Sequence, residues 1–256
     1  MKFAEWILTM PQFMQKLPEG LQNIIYQIFQ TFVFDNHYQL ILKGLKITFI
    51  VTICSLAIGI VIGLILAVIR TLNDSYTAKK PPIIIRILNA LTQLYLTVIR
   101  GTPMMVQLLI MGFVVMVPKT ESGAILCGII TLGINSGAYV AEIIRSGLMS
   151  IPKGQTEAGR SLGFNYVQTM WHIIIPQAVK NILPALGNEM ITLLKDTSLV
   201  SVIALRDVTK QMQNIVSITY RAMVPYIALA VIYLVIVIVM TKLLGMLEKR
   251  LRKSDH

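Results

Sequence analysis

Long charge-free apolar runs alternate with short basic stretches along this chain. Residues 47–69 carry no charge over about 23 positions, more than the roughly 20 a helix needs to cross a hydrocarbon core. Lys43 and Lys46 precede this run and Arg70 follows it, and within it Gly59 and Gly63 form a GxxxG pair that lets another helix come close. The apolar region 83–117 would be about 52 Å long as one straight helix, too long for a core of about 30 Å. Arg100-Gly101-Thr102-Pro103 breaks it, because proline removes a helical hydrogen bond. The pattern predicts an interfacial helix over about 83–99 and a span over about 101–117. A third span is predicted over 124–141, which contains Gly133 and Gly137 and is closed by Glu142 and Arg145, three apart and able to pair. Residues 181–202 form a more polar span, and 222–240 a purely apolar one.

Two segments depart from this alternation. In 1–37, Ile24, Ile25, Ile28, Phe29 and Phe32 recur at helical spacing between glutamines. This reads as a helix lying in the membrane interface, or equally as one packed on the edge of the bundle. The opening MKFAEWILTMP is no cleavable signal peptide, since Glu5 and Pro11 interrupt a short apolar run. In 181–202, Glu189, Thr192 and Asp196 fall on one helical face. Charges within a span face the bundle interior or a wet cavity, so this helix is expected to line any pathway.

Composition sharpens the class. Of 256 residues 55% are hydrophobic and only 14% charged, where soluble domains carry about 25%. An all-α polytopic membrane protein follows. The net charge of +11 comes largely from cations flanking the apolar runs, which fits lipid anchoring and topology control, not nucleic-acid binding. Cys54 and Cys127 lie inside apolar stretches, and His37, His172 and His256 are far apart, so neither a disulfide framework nor a metal site is expected. With five spans the ends lie on opposite sides. Arg70, Lys79, Lys80 and Arg86, then Arg145, Lys153, Arg160 and Lys180, then Lys242, Lys249, Arg250, Arg252 and Lys253 all fall on one side, which the positive-inside rule makes cytoplasmic. The N-terminus is then outside and the C-terminus inside.

This topology leaves 147–180 as a cytoplasmic connection of more than 30 residues, a length that usually carries function. Ser150 and Pro152 can start a helix, Gly163 can end it with a left-handed cap, and Asn165 with Gln168 gives a capping-box pattern for a second helix. A helix–turn–helix knuckle is predicted, kept small on one side by Ala158, Gly159 and Gly163 so that another protein can approach.

The spacing Glu157-Ala158-Gly159, then Gly163, then nine residues to Ile173, then Ile175-Pro176 resembles the EAA loop of bacterial ABC importer permeases, with Gly159 for Ala and Ile175 for Leu. VIRGTPMMVQ (98–107), NSGAYVAEIIRSG (135–147) and LLKDTSLVSVI (193–203) are similar to segments of the polar amino acid permeases, in order over about 38–250. The resemblance implies the type I importer permease fold with five spans and a coupling helix. Residues 38–250 are its transmembrane domain and 251–256 a cytoplasmic tail. It also implies a second permease subunit, identical or related, two ATPase subunits that bind ATP and Mg, and an external amino acid-binding protein. Glu157 would meet basic or polar groups of the ATPase, Ala158, Gly159 and Gly163 would permit close packing, and Arg160 would add a rim charge.

An amino acid zwitterion needs an anion for its ammonium and donors for its carboxylate. Asp196 and Glu189 could supply the first, Lys195 and Ser198 the second, with Thr192 and Thr197 nearby and Asn135, Met104 and Gln107 completing a cavity. These charges could instead pair only to settle the fold, and Arg100 reads as a headgroup or interhelical anchor. No GxxxxGK[ST], HExxH or GxSxG occurs, so the chain itself is expected to hold no nucleotide, metal or catalytic residue. A secondary transporter or a structural membrane subunit is the alternative. The first would ordinarily show internal repeats, and a charged lining helix argues against the second.

Overall fold

The computed structural model describes residues 3–76 and 80–253. Lys79 and His256, which entered the sequence reading, lie outside them, as do the side chains of Arg252 and Lys253. The described residues are helical almost throughout. Three short helices, α1 (Phe3–Leu8), α2 (Gln12–Gln15) and α3 (Glu19–Phe32), precede the long α4 (His37–Ser75). Then come α5 (Ile83–Gly101), α6 (Met104–Ile110) with a π turn over Met111–Val115, and α7 (Glu121–Met149). The knuckle is α8 (Lys153–Ser161) and α9 (Tyr166–Thr169), and α10 (Ile175–Asp196), α11 (Val208–Thr219) and α12 (Met223–Lys253) complete the chain.

Small residues decide how the two central helices meet. A Cβ on Gly59 would sit 2.8 Å from Ser136 Oγ, and one on Gly63 2.7 Å from Val140 Cβ. Gly133 and Gly137 on α7 likewise lie under Ile58 and Ile62. The GxxxG pair of α4 is therefore a contact surface, met by a matching small face on α7. Ser55 Oγ donates to the Ile129 carbonyl at 3.1 Å, so partners rise together along both helices, and α4 and α7 run parallel. Helix α10 runs antiparallel to α7, since Gly147 lies under Ile182 and Ser136 bonds Glu189. Leu244 of α12 covers Gly187 while Tyr233 meets Thr209. The far ends of α4, α7 and α12 and the knuckle thus share one side, and α11 lies on the other. Arg145 on α7 bonds Asp74 on α4 at 3.2 Å, so the two basic connections share one side, as the charge pattern predicts.

Among the described residues, four helices are long and apolar enough to cross a membrane: Phe34–Ser75, Ile83–Gly101, Glu121–Met149 and Met223–Leu251. This departs from the sequence reading in two places. The break near Pro103 is present, but the longer piece is α5, predicted as interfacial. Residues 104–115, predicted as most of a span, are short of a crossing at about 18 Å. Thr102 is extended (φ −116°), as a residue before proline prefers, so all of the preceding apolar run is free to stay helical. Helix α10 is long enough but too polar to be among the four. Glu142 does not pair with Arg145: it bonds Arg70 of α4 and lies 3.8 Å from Arg100 of α5. Arg100 also stacks over Tyr139 at 5.6 Å, an interhelical anchor.

The N-terminal segment packs on the edge of the bundle, one of the two placements the sequence left open. Trp6, Tyr26 and Phe29 form an aromatic cluster on one face, and Arg221 bonds Asn23 at 2.6 Å and covers the Tyr26 ring. The opposite face of α3 leaves Leu21, Ile24 and Ile28 exposed. Asp35 and Asn36 turn the chain through left-handed conformations (φ 46° and 57°), which these side chains tolerate.

Candidate functional site

Two regions carry the candidate chemistry. The first is the knuckle, whose shape is set locally. Gly163 takes φ +85°. Its N–H reaches the Arg160 carbonyl at 2.9 Å and the Phe164 N–H reaches that of Gly159 at 3.1 Å, the Schellman pattern that closes a helix. Asn165 Oδ1 then accepts from the Gln168 N–H at 2.9 Å while Gln168 Oε1 accepts from the Asn165 N–H at 3.0 Å, a complete capping box. Turn and restart are thus both fixed by hydrogen bonds within the ten residues 159–168, which holds the knuckle's shape. Its N-terminal start differs from expectation. Pro152 occupies the cap position of α8, and Ser150 belongs to the end of α7, where its hydroxyl donates to the Gly147 carbonyl and accepts from Asn181 Nδ2 at 2.8 Å.

Glu157, Ala158, Arg160, Leu162 and Gly163 are exposed. Gly159 is not: it is buried, and a Cβ there would meet Ile173 Cδ1 and Thr169 Cγ2 at 2.9 Å. Its small size serves the fit of α8 onto its own α9 segment, because α8 crosses that segment too closely for a side chain between them. Val167 and Trp171 remain about 70% exposed on the next turns, an apolar surface that the capping pattern alone did not signal. Burial pushes the Tyr166 hydroxyl above its ordinary range.

The second region is the middle of α10. Ser136 Oγ donates to Glu189 Oε1 at 2.7 Å. One residue away on α7, Asn135 Nδ2 donates to Gln107 Oε1 at 3.0 Å, and Gln107 Nε2 holds the Ile99 carbonyl and Thr102 Oγ1 at 2.8 Å. The geometry therefore gathers Gln107, Asn135, Ser136 and Glu189 around one turn of α7. Asp196 lies two turns beyond Glu189 on the same helix. Thr192 and Lys195 are exposed and, with Asn188, line an uncovered polar stripe along α10. Ser198 is half-buried in the tight turn that follows. Met104 packs against the apolar core around Leu108 and Leu132. Thr197 is buried and spends its hydroxyl on the Leu194 carbonyl at 2.6 Å. These two sit apart from the hydrogen-bonded group, which Ser136 joins. Ser136 gave no signal by sequence, because its partner is 53 residues away. Among the described residues no cluster of three potential metal ligands occurs.

A third buried charge was not foreseen. Asp207 caps α11, accepting from the Thr209 N–H at 3.0 Å and the Lys210 N–H at 2.9 Å. It is fully enclosed, and burial raises its carboxyl from 3.8 to about 6 against the lowering effect of those bonds.

The sequence profile described as "Binding-protein-dependent transport system inner membrane component" matches residues 84–253. The glutamine transport system permease protein GlnP of Escherichia coli (strain K12) is 36% identical over 215 residues, 83% of this chain and 93% of its own. The arginine transport system permease protein ArtQ of Bacillus subtilis (strain 168) is 36% identical over 216 residues, 84% and 94%. Among solved structures, a chain of an amino acid ABC transporter crystallised with histidines superposes with a TM-score of 0.74 at 42% identity, over 83% of this chain and 94% of that one. The methionine ABC transporter MetNI in an inward-facing form, at 21% identity and a TM-score of 0.68, over 84% of this chain and 97% of that one, shares the fold.

Proposed function

The chain belongs to the family of inner membrane components of binding-protein-dependent transport systems, and we propose that it is the non-catalytic permease subunit of an ATP-driven importer for a polar amino acid, glutamine, arginine and histidine being the first to try. It works beside a second permease chain, identical or related. Two ATPase subunits, which hold ATP and Mg, dock on the knuckle side, and an external binding protein delivers the amino acid on the α11 side. The chain crosses the inner membrane five times, through α4, α5, α7, α10 and α12. Its N-terminus lies outside and its C-terminus in the cytoplasm.

The observation that carries this reading is the knuckle: a helix locked at its turn, presenting Glu157 and Arg160 beside exposed Leu162 and Val167, on the side where α4, α7 and α12 end. A chain of 256 residues without a phosphate-binding loop must receive mechanical work from outside. A rigid protrusion fixed to the base of α7 and α10 transmits displacement, because the Ser150–Asn181 bond ties those two helices at its root. Glu157 pairs with cationic or polar groups of the ATPase, Ala158 lets its backbone close in, Arg160 sits at the rim, and Gly159 and Gly163 fix the knuckle's shape.

Helix α10 supplies the pathway. A stripe of Asn188, Thr192 and Lys195 left facing hydrocarbon would be costly, so it faces water or the second chain. The ammonium of the cargo meets Asp196 and Glu189, and its carboxylate meets Lys195 and Ser198. Gln107, Asn135 and Ser136 hold Glu189 and the α6–α7 wall in place. Uptake by the reconstituted complex, with its ATPase and binding protein in proteoliposomes, tests the reading. Labelled amino acid should accumulate only when ATP, ATPase and binding protein are all present. Accumulation driven by an ion gradient without the ATPase would overturn it in favour of a secondary transporter.

A further inference from the structure

An apolar slot of about 430 Å³ runs between α4 and α10 on the knuckle side of the membrane. Leu64 and Val68 form one wall, Val179 and Ile182 the other, and Val167 and Trp171 of the knuckle close its end. Most of these side chains stay exposed, Val68 at 54% and Val179 at 40%. The slot does not end in bulk apolar surface. It shares Thr71, Leu148, Tyr166 and Met170 with a second recess of about 220 Å³, whose walls are part apolar and which holds Asp74, Arg145, Ser75 and Thr156. Arg145 Nη2 and Asp74 Oδ2 lie 3.2 Å apart there, with Asp74 half-exposed.

Three features restrict the occupant. Along its length the slot is walled by aliphatic side chains, Leu64 and Val68 against Val179 and Ile182. It suits an extended chain of methylenes. Its knuckle end carries Tyr166 and Trp171, residue types that settle at the headgroup level. The recess has one anion, one cation and several hydroxyls, so its formal charge is zero. A headgroup with net negative charge would meet Asp74 without compensation, whereas one carrying both a phosphate and an ammonium matches the pair: phosphate on Arg145 and the hydroxyls, ammonium on Asp74.

We propose that slot and recess together bind one zwitterionic phospholipid of the knuckle-side leaflet, with an acyl chain between α4 and α10 and a phosphoethanolamine-type headgroup on the Asp74–Arg145 pair. The lipid then fills the gap between the knuckle and α4, which the chain itself leaves open, and becomes part of the wall through which the knuckle moves the spans.

The test uses the assembled transporter, stripped in detergent and re-exposed to vesicles of dioleoyl phosphatidylethanolamine, phosphatidylcholine or phosphatidylglycerol, with retained lipid counted by native mass spectrometry. The wild-type complex should retain phosphatidylethanolamine at least 10-fold over phosphatidylglycerol. Val68→Trp and Val179→Trp, which fill the slot from opposite walls, should each lose that lipid. Asp74→Asn, which leaves Arg145 unopposed, should shift the preference at least 5-fold toward phosphatidylglycerol. If one tryptophan variant fails to assemble, the other and Asp74→Asn decide. Unchanged retention in an assembled tryptophan variant, or equal retention of the three lipids by wild type, would overturn the proposal. So would an efficient disulfide between Val68→Cys in one copy and a cysteine in the neighbouring permease chain, because a second protein would then occupy the slot.

Discussion

The α4–α7 interface and the open face of α10 lie on the same bundle and obey opposite rules. Along α4 and α7 every approach is closed by a small residue: Gly59 on Ser136, Gly63 on Val140, Gly133 on Ile58, Gly137 on Ile62. The polar groups there are satisfied within the chain, Ser55 by Ile129 and Ser136 by Glu189. Along α10, Asn188, Thr192 and Lys195 stand exposed with nothing from this chain over them. The closed interface decides the fold, and it can do so alone. The open face is legible only as half of something, since a polar stripe on a helix packed against the membrane-length α7 and α4 calls for water or a partner.

That contrast can be broken from either side. The largest effect is expected at the closed interface. Gly63→Leu places a side chain where even a Cβ lies 2.5 Å from Val140 Cγ1 and 2.9 Å from the Ala141 nitrogen. Overpacking usually costs about 1–3 kcal/mol, and here the obstacle includes backbone, so no monodisperse complex should survive size-exclusion chromatography in detergent. A well-assembled Gly63→Leu complex would show that the interface is looser than described. At the open face the expectation reverses. Asp196→Asn should assemble normally and lower uptake at least 10-fold, of the order expected when a charge-assisted bond worth about 1.5–3 kcal/mol is lost; unchanged uptake kinetics would remove Asp196 from the pathway.

The local parts of this molecule are legible in its sequence. The left-handed cap at Gly163 and the capping box of Asn165 and Gln168 need only neighbours within four positions, and both are present as read. The paired small residues of α4 and α7 are visible too, although the sequence did not say that they meet each other. What distance along the chain hides is partnership. Arg70 and Glu142 are 72 residues apart, so Glu142 looked like a partner for Arg145. Asp74 took Arg145 instead. Gly159 misled in another way: a small residue on a polar helix looks like room for a visitor, and it is room for Thr169 and Ile173. The apolar region around Pro103 breaks where the sequence predicts, but the half expected to span is the shorter one, because hydropathy does not say on which side of a break a helix persists.

The smallest expected effect concerns Asp207, a buried charge at the end of the molecule opposite the knuckle. Its carboxyl titrates near 6 in the folded chain and near 3.8 when free. The folded state therefore holds the proton more tightly, so this group's favourable contribution is full below about pH 3.8 and is lost as pH rises through about 6. Asp207→Asn keeps a good cap without the charge. It should melt above wild type at pH 7.5 by roughly 2–4 °C, as about 1 kcal/mol implies for a chain of this size, and the two should converge at pH 4. Parallel melting curves across that range would show that the cap carboxylate is better solvated than its burial implies.

The central claim is that the knuckle receives the work of ATP hydrolysis. Its most direct measurement is simultaneous: ATP hydrolysis and amino acid uptake in proteoliposomes, with saturating binding protein and substrate, for wild type and Glu157→Lys. Glu157 is exposed and makes no side-chain bond that shapes the knuckle, so the variant complex should assemble. Glu157→Lys should lose substrate-stimulated hydrolysis and uptake together, by 10-fold or more, while basal hydrolysis persists. A Glu157→Lys complex with normal stimulated hydrolysis and normal uptake would contradict it.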